Sequence, residues 1–348
     1  IIGLYAFNLI VITIFTIPAI LFFKNDIKKK FLTLSISLAL IFSIFIYGTF
    51  SINKNKGILN FLKKENKIYT KVISPNFDLK YETSIIEVES KIKKLIKYSE
   101  PNEDLTTLFI WPEGVFTGFD FDEISQFKNL IEGAFLDKHL IIFGINTLDK
   151  KTEEYFNSLV VVNNKFEILY KYNKKKLVPF GEFLPFENIL NNFGLKKITL
   201  GHGSFSNGKE QENFSFNNIN ILPLICYEII FPEITQKSNK NTNLIVNISE
   251  DGWFGNSIGP HQHFVKAKFR AIENNSFLVR SANKGISAII NNKGEVEKKL
   301  DSSETGSIEM DIPIFKSEYK NKNDLIFFIL LFTYLITFLI FKNRNNEK

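Results

Sequence analysis

The stretch ILPLICYEIIFPE, residues 221–233, decides how the rest of the chain is read. Its apolar run 221–226 reads as a buried strand, and the residues that follow read as the start of a helix. The only cysteine in the sequence, Cys226, stands where one gives way to the other. Strand ends that feed loops are where α/β proteins hold reactive groups on rigid supports. Two charged residues occupy the same kind of place. IWPEG (110–114) puts Glu113 at the exit of TLFIW (107–111), and YNKKKLVPFGE (172–182) puts Lys174 after FEILYKY (166–172).

Outward from these three points, the chain between about 68 and 316 alternates strand-like and helical stretches. KVIS (71–74), LIIFGI (140–145), SLVVV (158–162), NLIVNI (243–248), FLVRSA (277–282) and SAIINN (287–292) have the length and composition of strands. Residues 83–98 and about 260–274 space their apolar side chains three and four apart, as an amphipathic helix does. Asn163–Asn164 and the NNKG stretch 291–294 read as hairpin turns. The order predicts an α/β layered domain, a sheet or sheet pair covered by helices.

The two ends of the 348-residue chain are different. Residues 1–23 and 31–50 carry no charge, and 325–341 form a third apolar stretch between Asp324 and Lys342. Each reads as a transmembrane helix, the last at the short limit, because a hydrocarbon core about 30 Å thick takes about 20 residues. A signal peptide fits the first stretch poorly: no basic region precedes it, and a second span follows. The net charge of +6 belongs to these ends. Residues 24–30 (KNDIKKK) carry +3 and residues 342–348 (KNRNNEK) carry +2, which leaves +1 for everything else. Such basicity sets membrane topology and argues against a nucleic-acid-binding face. With the basic loop and tail in the cytoplasm, the region between the second and third spans faces outward, and Asn55 reads as an exposed position there. Residue 1 falls on the outer side too, so further spans are expected upstream of Ile1. One cysteine allows no internal disulfide and no paired-cysteine metal site.

Taken singly, each of the three strand-end residues has an ordinary reading. A cysteine after an apolar run is commonly a small buried hydrophobe, Glu113 could start a helix, and Lys174 sits in a lysine run that would normally be solvated. Together they make a chemical set. A nearby ammonium favours the thiolate, a carboxylate can take and return the proton, and the ammonium with the backbone N–H after the nucleophile can hold a tetrahedral oxyanion. That set performs acyl transfer through a thioester.

At these motifs the sequence resembles the apolipoprotein N-acyltransferases, the membrane branch of the nitrilase, or carbon–nitrogen hydrolase, superfamily. The stretches that carry the likeness are WPEG (111–114), YNKKKLVPFGEFLP (172–185), ICYEIIFPE (225–233) and DGWFGNSIGPHQH (251–263). The resemblance implies a nitrilase-like α-β-β-α sandwich, residues 68–316, inserted between the transmembrane helices. It implies Glu113 as base, Lys174 as oxyanion-stabilising lysine and Cys226 as nucleophile. Glu182 then orders Lys174, and Tyr227 and Glu228 support the site. The spacing from Tyr172 and to LVPFGE selects Lys174 from its run. Asp251–Gly252 before WFG and Asn283–Lys284–Gly285 depart from the usual Asp-Ala and Asn-Thr-Gly of the family, which touches loops and not the triad.

The implied donor is a membrane phospholipid and the implied acceptor the α-amino group of a diacylglyceryl-cysteine on an apolipoprotein, with no cofactor, no metal and no nucleic acid. The implied location is the bacterial inner membrane, multi-pass, with the catalytic domain in the periplasm. Trp253 and Phe254, and the aromatic stretch 180–193, read either as packing or as loops that guide acyl chains. His261 and His263, two apart, would not share a helix face and do not suggest a metal site. Two rivals share parts of this reading: a membrane-tethered amidase or nitrile hydrolase with the same triad, and a non-catalytic lipoprotein-binding module.

Overall fold

A computed structural model describes residues 2–23, 26–62, 67–80, 83–186, 204–209, 213–216, 218–237, 242–315 and 323–346. The chain divides into an apolar unit, Ile1–Ile58 with Glu318–Lys348, and an α/β unit, Leu59–Ser317.

In the apolar unit, a helix Gly3–Thr16 is prolonged by a 3-10 segment Ile17–Phe22 that starts just before Pro18. The expected 31–50 span lies inside a longer helix, Ile27–Leu62, and the third inside Asn323–Asn346. Gly3–Phe22 and Ile27–Asn60 are long and apolar enough to cross a membrane, and Leu325–Ile340 is a shorter apolar helix. Large side chains such as Phe15, Phe22 and Phe31 are exposed on them, as suits a hydrocarbon surrounding. The Thr13 hydroxyl meets Tyr334 from the third helix, so one of the polar groups in the first stretch has a helical partner. Asn55 is buried, contrary to the reading from sequence. The helix runs on past residue 50, and Asn55 and Leu59, four apart and both buried, lie on one face of it.

The α/β unit holds two six-stranded sheets. The first contains β1 (Lys67–Ser74), β2 (Thr107–Ile110), β3 (Leu140–Asp149), β4 (Glu154–Val162), β5 (Ile168–Asn173) and β12 (Gly306–Pro313), in the order β12-β1-β2-β3-β4-β5. The second contains β6 (Phe214–Phe216), β7 (Ile219–Ile225), β8 (Leu244–Glu250), β9 (Phe277–Asn283), β10 (Ser287–Ile290) and β11 (Val296–Leu300), in the order β11-β10-β9-β8-β7-β6. The middle of each sheet is parallel, β1-β2-β3 and β7-β8-β9, with antiparallel strands outside.

Strand alternation distributes the apolar residues over three layers. Val72, Ile110, Ile142 and Val161 of the first sheet pack with Ile221, Val246, Val279 and Ile289 of the second in a shared inner core. Their neighbours Ile73, Phe109 and Ile141 face outward onto Val88, Ile92 and Leu95 of the helix Ile85–Ser99. Leu222, Ile245 and Leu278 face outward onto Ala267 and Ala271 of the helix Gly259–Asn274. Each such buried aliphatic side chain contributes about 1.5–3 kcal/mol. This is the expected α-β-β-α sandwich. The helix Ile85–Ser99 begins where a capping box allows it, with Ser84 and Glu87 satisfying each other's backbone N–H groups. Parallel strands all end at the same edge of their sheet, so the exits of β2, β7, β8 and β9 converge, and the candidate site lies there.

Candidate active site

Glu113 follows β2, held at the strand end by Trp111, whose N–H bonds the Ile142 carbonyl at 2.8 Å and whose indole donates to Ser99 at 2.9 Å. The Glu113 carboxylate is fixed at both oxygens: Asn157 Nδ2 on β4 donates to Oε1 at 2.7 Å, and the Glu250 N–H donates to Oε2 at 3.1 Å. The same Asn157 amide donates to Glu182 Oε1 at 2.6 Å, so one side chain ties two carboxylates together.

Lys174 leaves β5 with its N–H on the Asn157 carbonyl at 2.8 Å. Its side chain is 1 % exposed, and its ammonium donates to Glu182 Oε1 at 2.8 Å and lies 3.5 Å from Glu113 Oε1. Lys176, two residues on, is exposed over the Phe231 ring. Burial works against the charge on Lys174, but Glu113, Glu182 and Cys226 outweigh it and hold the ammonium well above its ordinary pKa.

Cys226 takes a left-handed backbone conformation, φ +47°, between β7 and the 3-10 turn Cys226–Ile230. A non-glycine residue there costs about 1–3 kcal/mol, and such positions cluster at functional sites. Three groups hold the turn. Buried Glu228 accepts the Ile225 N–H at 2.9 Å on one oxygen; on the other it takes the Lys175 N–H at 2.7 Å and the Tyr172 hydroxyl at 2.8 Å. It therefore binds the Cys226 turn to the segment that carries Lys174. His263 Nε2 lies 3.1 Å from the Cys226 carbonyl, and the Ser249 hydroxyl bonds the sulphur.

His263 and Ser249 both reach Asp251 Oδ1, at 3.0 and 2.7 Å, and Arg280 closes on that carboxylate with contacts of 3.0 and 2.8 Å. Arg280 also donates to Asn247. Burial would raise the Asp251 carboxyl, but Arg280 and His263 hold it far below the ordinary range. Burial and Arg280 together push the His263 imidazole down.

The thiol itself is not poised as the sequence predicts. Burial pushes its pKa up, Glu113 adds to the rise, and Lys174 only partly opposes them. The reason is that the ammonium is shared with two carboxylates before it reaches the sulphur. At rest Cys226 is therefore a thiol, with Glu113 beside it in the same cavity.

Glu113, Lys174, Glu182, Cys226, Tyr227, Trp253 and Phe254 all line one cavity of about 410 Å³, with apolar walls from Phe116, Ile145 and Val178. Glu228 lies beneath it. Tyr227 packs edge-on against Phe231, while Trp253 and Phe254 are 47 % and 38 % exposed at the rim. Of the stretch 180–193, residues 187–193 lie outside the described residues. His261 is exposed while His263 is buried, and among the described residues no group of three or more metal-binding side chains gathers. No motif in the sequence singles out Asn157, Ser249, Glu250 or Arg280, and there Asp251 reads only as a loop departure and His263 only as an unsuitable metal ligand. An arginine inside the apolar run FLVRSA was the one signal that a charged pair lay in the core.

The sequence profile of the carbon-nitrogen hydrolase family matches residues 87–315. An apolipoprotein N-acyltransferase of Rickettsia bellii is 33 % identical over 361 aligned residues, covering 100 % of this chain and 69 % of the relative. The chain belongs to the apolipoprotein N-acyltransferases of the carbon-nitrogen hydrolase family. The like-named protein of Rickettsia typhi is 32 % identical, covering 96 % of this chain and 68 % of its own length. That of Rhizobium leguminosarum bv. trifolii is 36 % identical over 61 % of this chain. The chain spans only 40 % of that relative and 60 % of one from Rhodopseudomonas palustris. Among solved structures, a superfamily member of Xanthomonas campestris has a TM-score of 0.52 at 14 % identity, covering 71 % of this chain and 91 % of its own. A carbon-nitrogen hydrolase of Helicobacter pylori has a TM-score of 0.52 at 14 % identity, covering 77 % and 94 %. Both share the fold.

Proposed function

We propose that this chain transfers a fatty acyl group from a membrane phospholipid, through a thioester on Cys226, to the α-amino group of a diacylglyceryl-cysteine on apolipoproteins. The observation that carries the proposal is the cavity that gathers Glu113, Lys174 and a left-handed Cys226 in a family member with membrane-length apolar helices. As the sulphur attacks the ester carbonyl, Glu113 takes the thiol proton. Lys174, with the N–H after Cys226, stabilises the oxyanion. Collapse returns the proton to the leaving lysophospholipid oxygen. The amine then attacks the thioester with the same groups in reverse. Its pKa of about 7.7–8.0 leaves about 10–20 % of it neutral at pH 7. Glu182 and Asn157 keep Lys174 and Glu113 in register, and exposed Trp253 and Phe254 receive the acyl chain at the rim.

Intact-mass analysis after incubation with phospholipid vesicles should show one fatty acyl group per chain, removed by hydroxylamine and absent from Cys226→Ala. An adduct that survives in Cys226→Ala overturns the assignment. Release of ammonia from small amides with no acyl adduct would favour the amidase reading.

The lysines near residues 24–30 and 342–348 support a cytoplasmic face for both ends of the spans, and hence a periplasmic catalytic domain. Ser303 is exposed on the α/β unit. In a Cys226→Ala background, Ser303→Cys should react with a membrane-impermeant thiol reagent in intact spheroplasts. Labelling only after lysis would reverse the orientation.

A further inference from the structure

The cavity contains a carboxyl group that the triad does not use. Glu250 is the last residue of β8 and lines the cavity beside Glu113, to which its own backbone N–H is bonded. Its side chain is accommodated by two missing ones. A Cβ on Gly114, at φ +75°, would fall 2.7 Å from Glu250 Oε2, and a Cβ on Gly252 would fall 2.7 Å from Oε1. Asn283 Nδ2 donates to Oε2 at 2.7 Å and the Gly252 N–H donates to Oε1 at 2.8 Å, so the group is held in one place. A buried carboxyl cradled at the cavity wall, next to a second carboxylate, is an arrangement for moving protons.

The proton count of the transfer step gives it work. The acceptor enters as an ammonium ion and leaves as an amide, so it sheds two protons, and the Cys226 thiolate takes back one. Resting on the acyl-transfer reading above, we infer that Glu250 is a second base, which takes the first proton from the acceptor's α-ammonium group before Glu113 takes the second. The Glu250 carboxylate becomes a carboxylic acid and the ammonium a neutral amine. The nitrogen lone pair forms the C–N bond, and the carbonyl electrons move to the oxygen beside Lys174. Glu113 removes the second proton, the C–S bond breaks, and Glu113 protonates the departing thiolate. Glu250 finally releases its proton to water.

The electrostatics support this order. Burial raises the Glu250 carboxyl to about 8, Asn283 and Gly252 only partly offset that, and Glu113 and Asp251 add to the rise. That value matches an α-ammonium of about 7.7–8.0, so the first transfer is close to thermoneutral, and at pH 7 it runs from the roughly one chain in ten whose Glu250 is ionised. Of the cations in the neighbourhood, Lys91 of the helix Ile85–Ser99 feels the Glu250 charge while donating to the Val115 carbonyl, and Lys284 pairs with Asp78.

The test uses the full-length protein in detergent, loaded as its Cys226 thioester, and two acceptors. A lipopeptide with a free α-amine is mostly an ammonium at pH 7; hydroxylamine is already neutral and needs no first deprotonation. Glu250→Gln should discharge at least tenfold more slowly to the lipopeptide and within about twofold of the parent rate to hydroxylamine. Equal slowing with both acceptors would show a merely structural role, and no slowing with either would show no role; each overturns the inference. If Glu250→Gln does not fold, judged by Cys226 alkylation with iodoacetamide, Glu250→Asp should show the same contrast at smaller size, and its absence counts equally against it. Failure of the parent protein to form a thioester would instead remove the acyl-transfer reading on which the inference rests.

Discussion

The two sheets build their sides of the cavity differently. From the first come Glu113, Lys174 and Glu182, charges that face the cavity and one another, with the Asn157 amide between them. From the second comes Cys226, whose charged neighbours Asp251 and Arg280 are a pair with no exposure at all beneath the turn. Groups that exchange protons need solvent and substrate within reach, whereas groups that hold a strained turn need rigidity. On the proposed function, the first sheet's side supplies the charges that serve the chemistry and the second seats the nucleophile on a rigid base, from which Glu250 and His263 also reach the cavity.

The sharpest way to break this contrast is Asp251→Asn. It leaves Arg280 buried without a counter-charge and replaces the charged acceptor shared by Ser249 and His263 with a neutral amide oxygen. Breaking one partner of a buried pair costs about 3–5 kcal/mol. The urea midpoint of the α/β unit should fall accordingly, with activity lost through unfolding. A variant as stable as the parent but inactive would move Asp251 from shape to chemistry and dissolve the distinction.

On the other side, Lys174→Ala should leave most of the fold in place and slow acylation by about 10²–10³, as expected when one oxyanion donor is removed. Lys175→Ala and Lys176→Ala should stay within a few-fold of the parent in the same acyl-adduct time course. Lys176 is exposed and Lys174 is sealed between two carboxylates, so a dead Lys176→Ala beside an active Lys174→Ala would mean the register is wrong.

The same contrast explains what is legible in the sequence alone. Glu113, Lys174 and Cys226 were legible because each breaks an apolar run at its end, where a polar residue is conspicuous. Asn157, Ser249 and Arg280 sit inside strands, where one polar residue among apolar ones is smoothed over by the pattern around it. SLVVV starts one residue after Asn157, and the two-residue spacing of His263 from His261 speaks to a metal site and says nothing of a carboxylate across the fold. Strands with continuous apolar runs were located closely, since both faces of the inner strands are buried. The outer strands β6, β11 and β12 were missed: VEKKL and GSIEMDIP mix charges with aliphatics because part of each strand meets solvent. The helix Ile27–Leu62 outran its apolar core because helical hydrogen bonding continues through Asn53–Lys56 whether or not hydrocarbon surrounds it.

The smallest effect separates two neighbours on one strand exit. Glu250 is raised in the folded protein to about 8 by burial, and an unfolded glutamate titrates near about 4.3. The folded state thus binds a proton that the unfolded state releases. Its contribution to stability is complete below the unfolded value and is lost as pH rises towards the folded one. Between about pH 5 and 7.5 the loss runs on the order of 1 kcal/mol per pH unit. Asp251 behaves in the opposite sense. Burial would raise it, but Arg280 and His263 hold it far below the ordinary range, so its contribution is constant above that range and is lost only in stronger acid. His263, pushed down, titrates in the opposite sense in the same window, so the Glu250 effect is read as a difference: the urea midpoint of Glu250→Gln minus that of the parent should grow as pH rises. In Asp251→Asn the whole curve should sit lower. If Glu250→Gln kept the parent's slope, the Glu250 carboxyl would be ionised at neutral pH, and the cavity side of the second sheet would carry a permanent charge in place of a proton that can move.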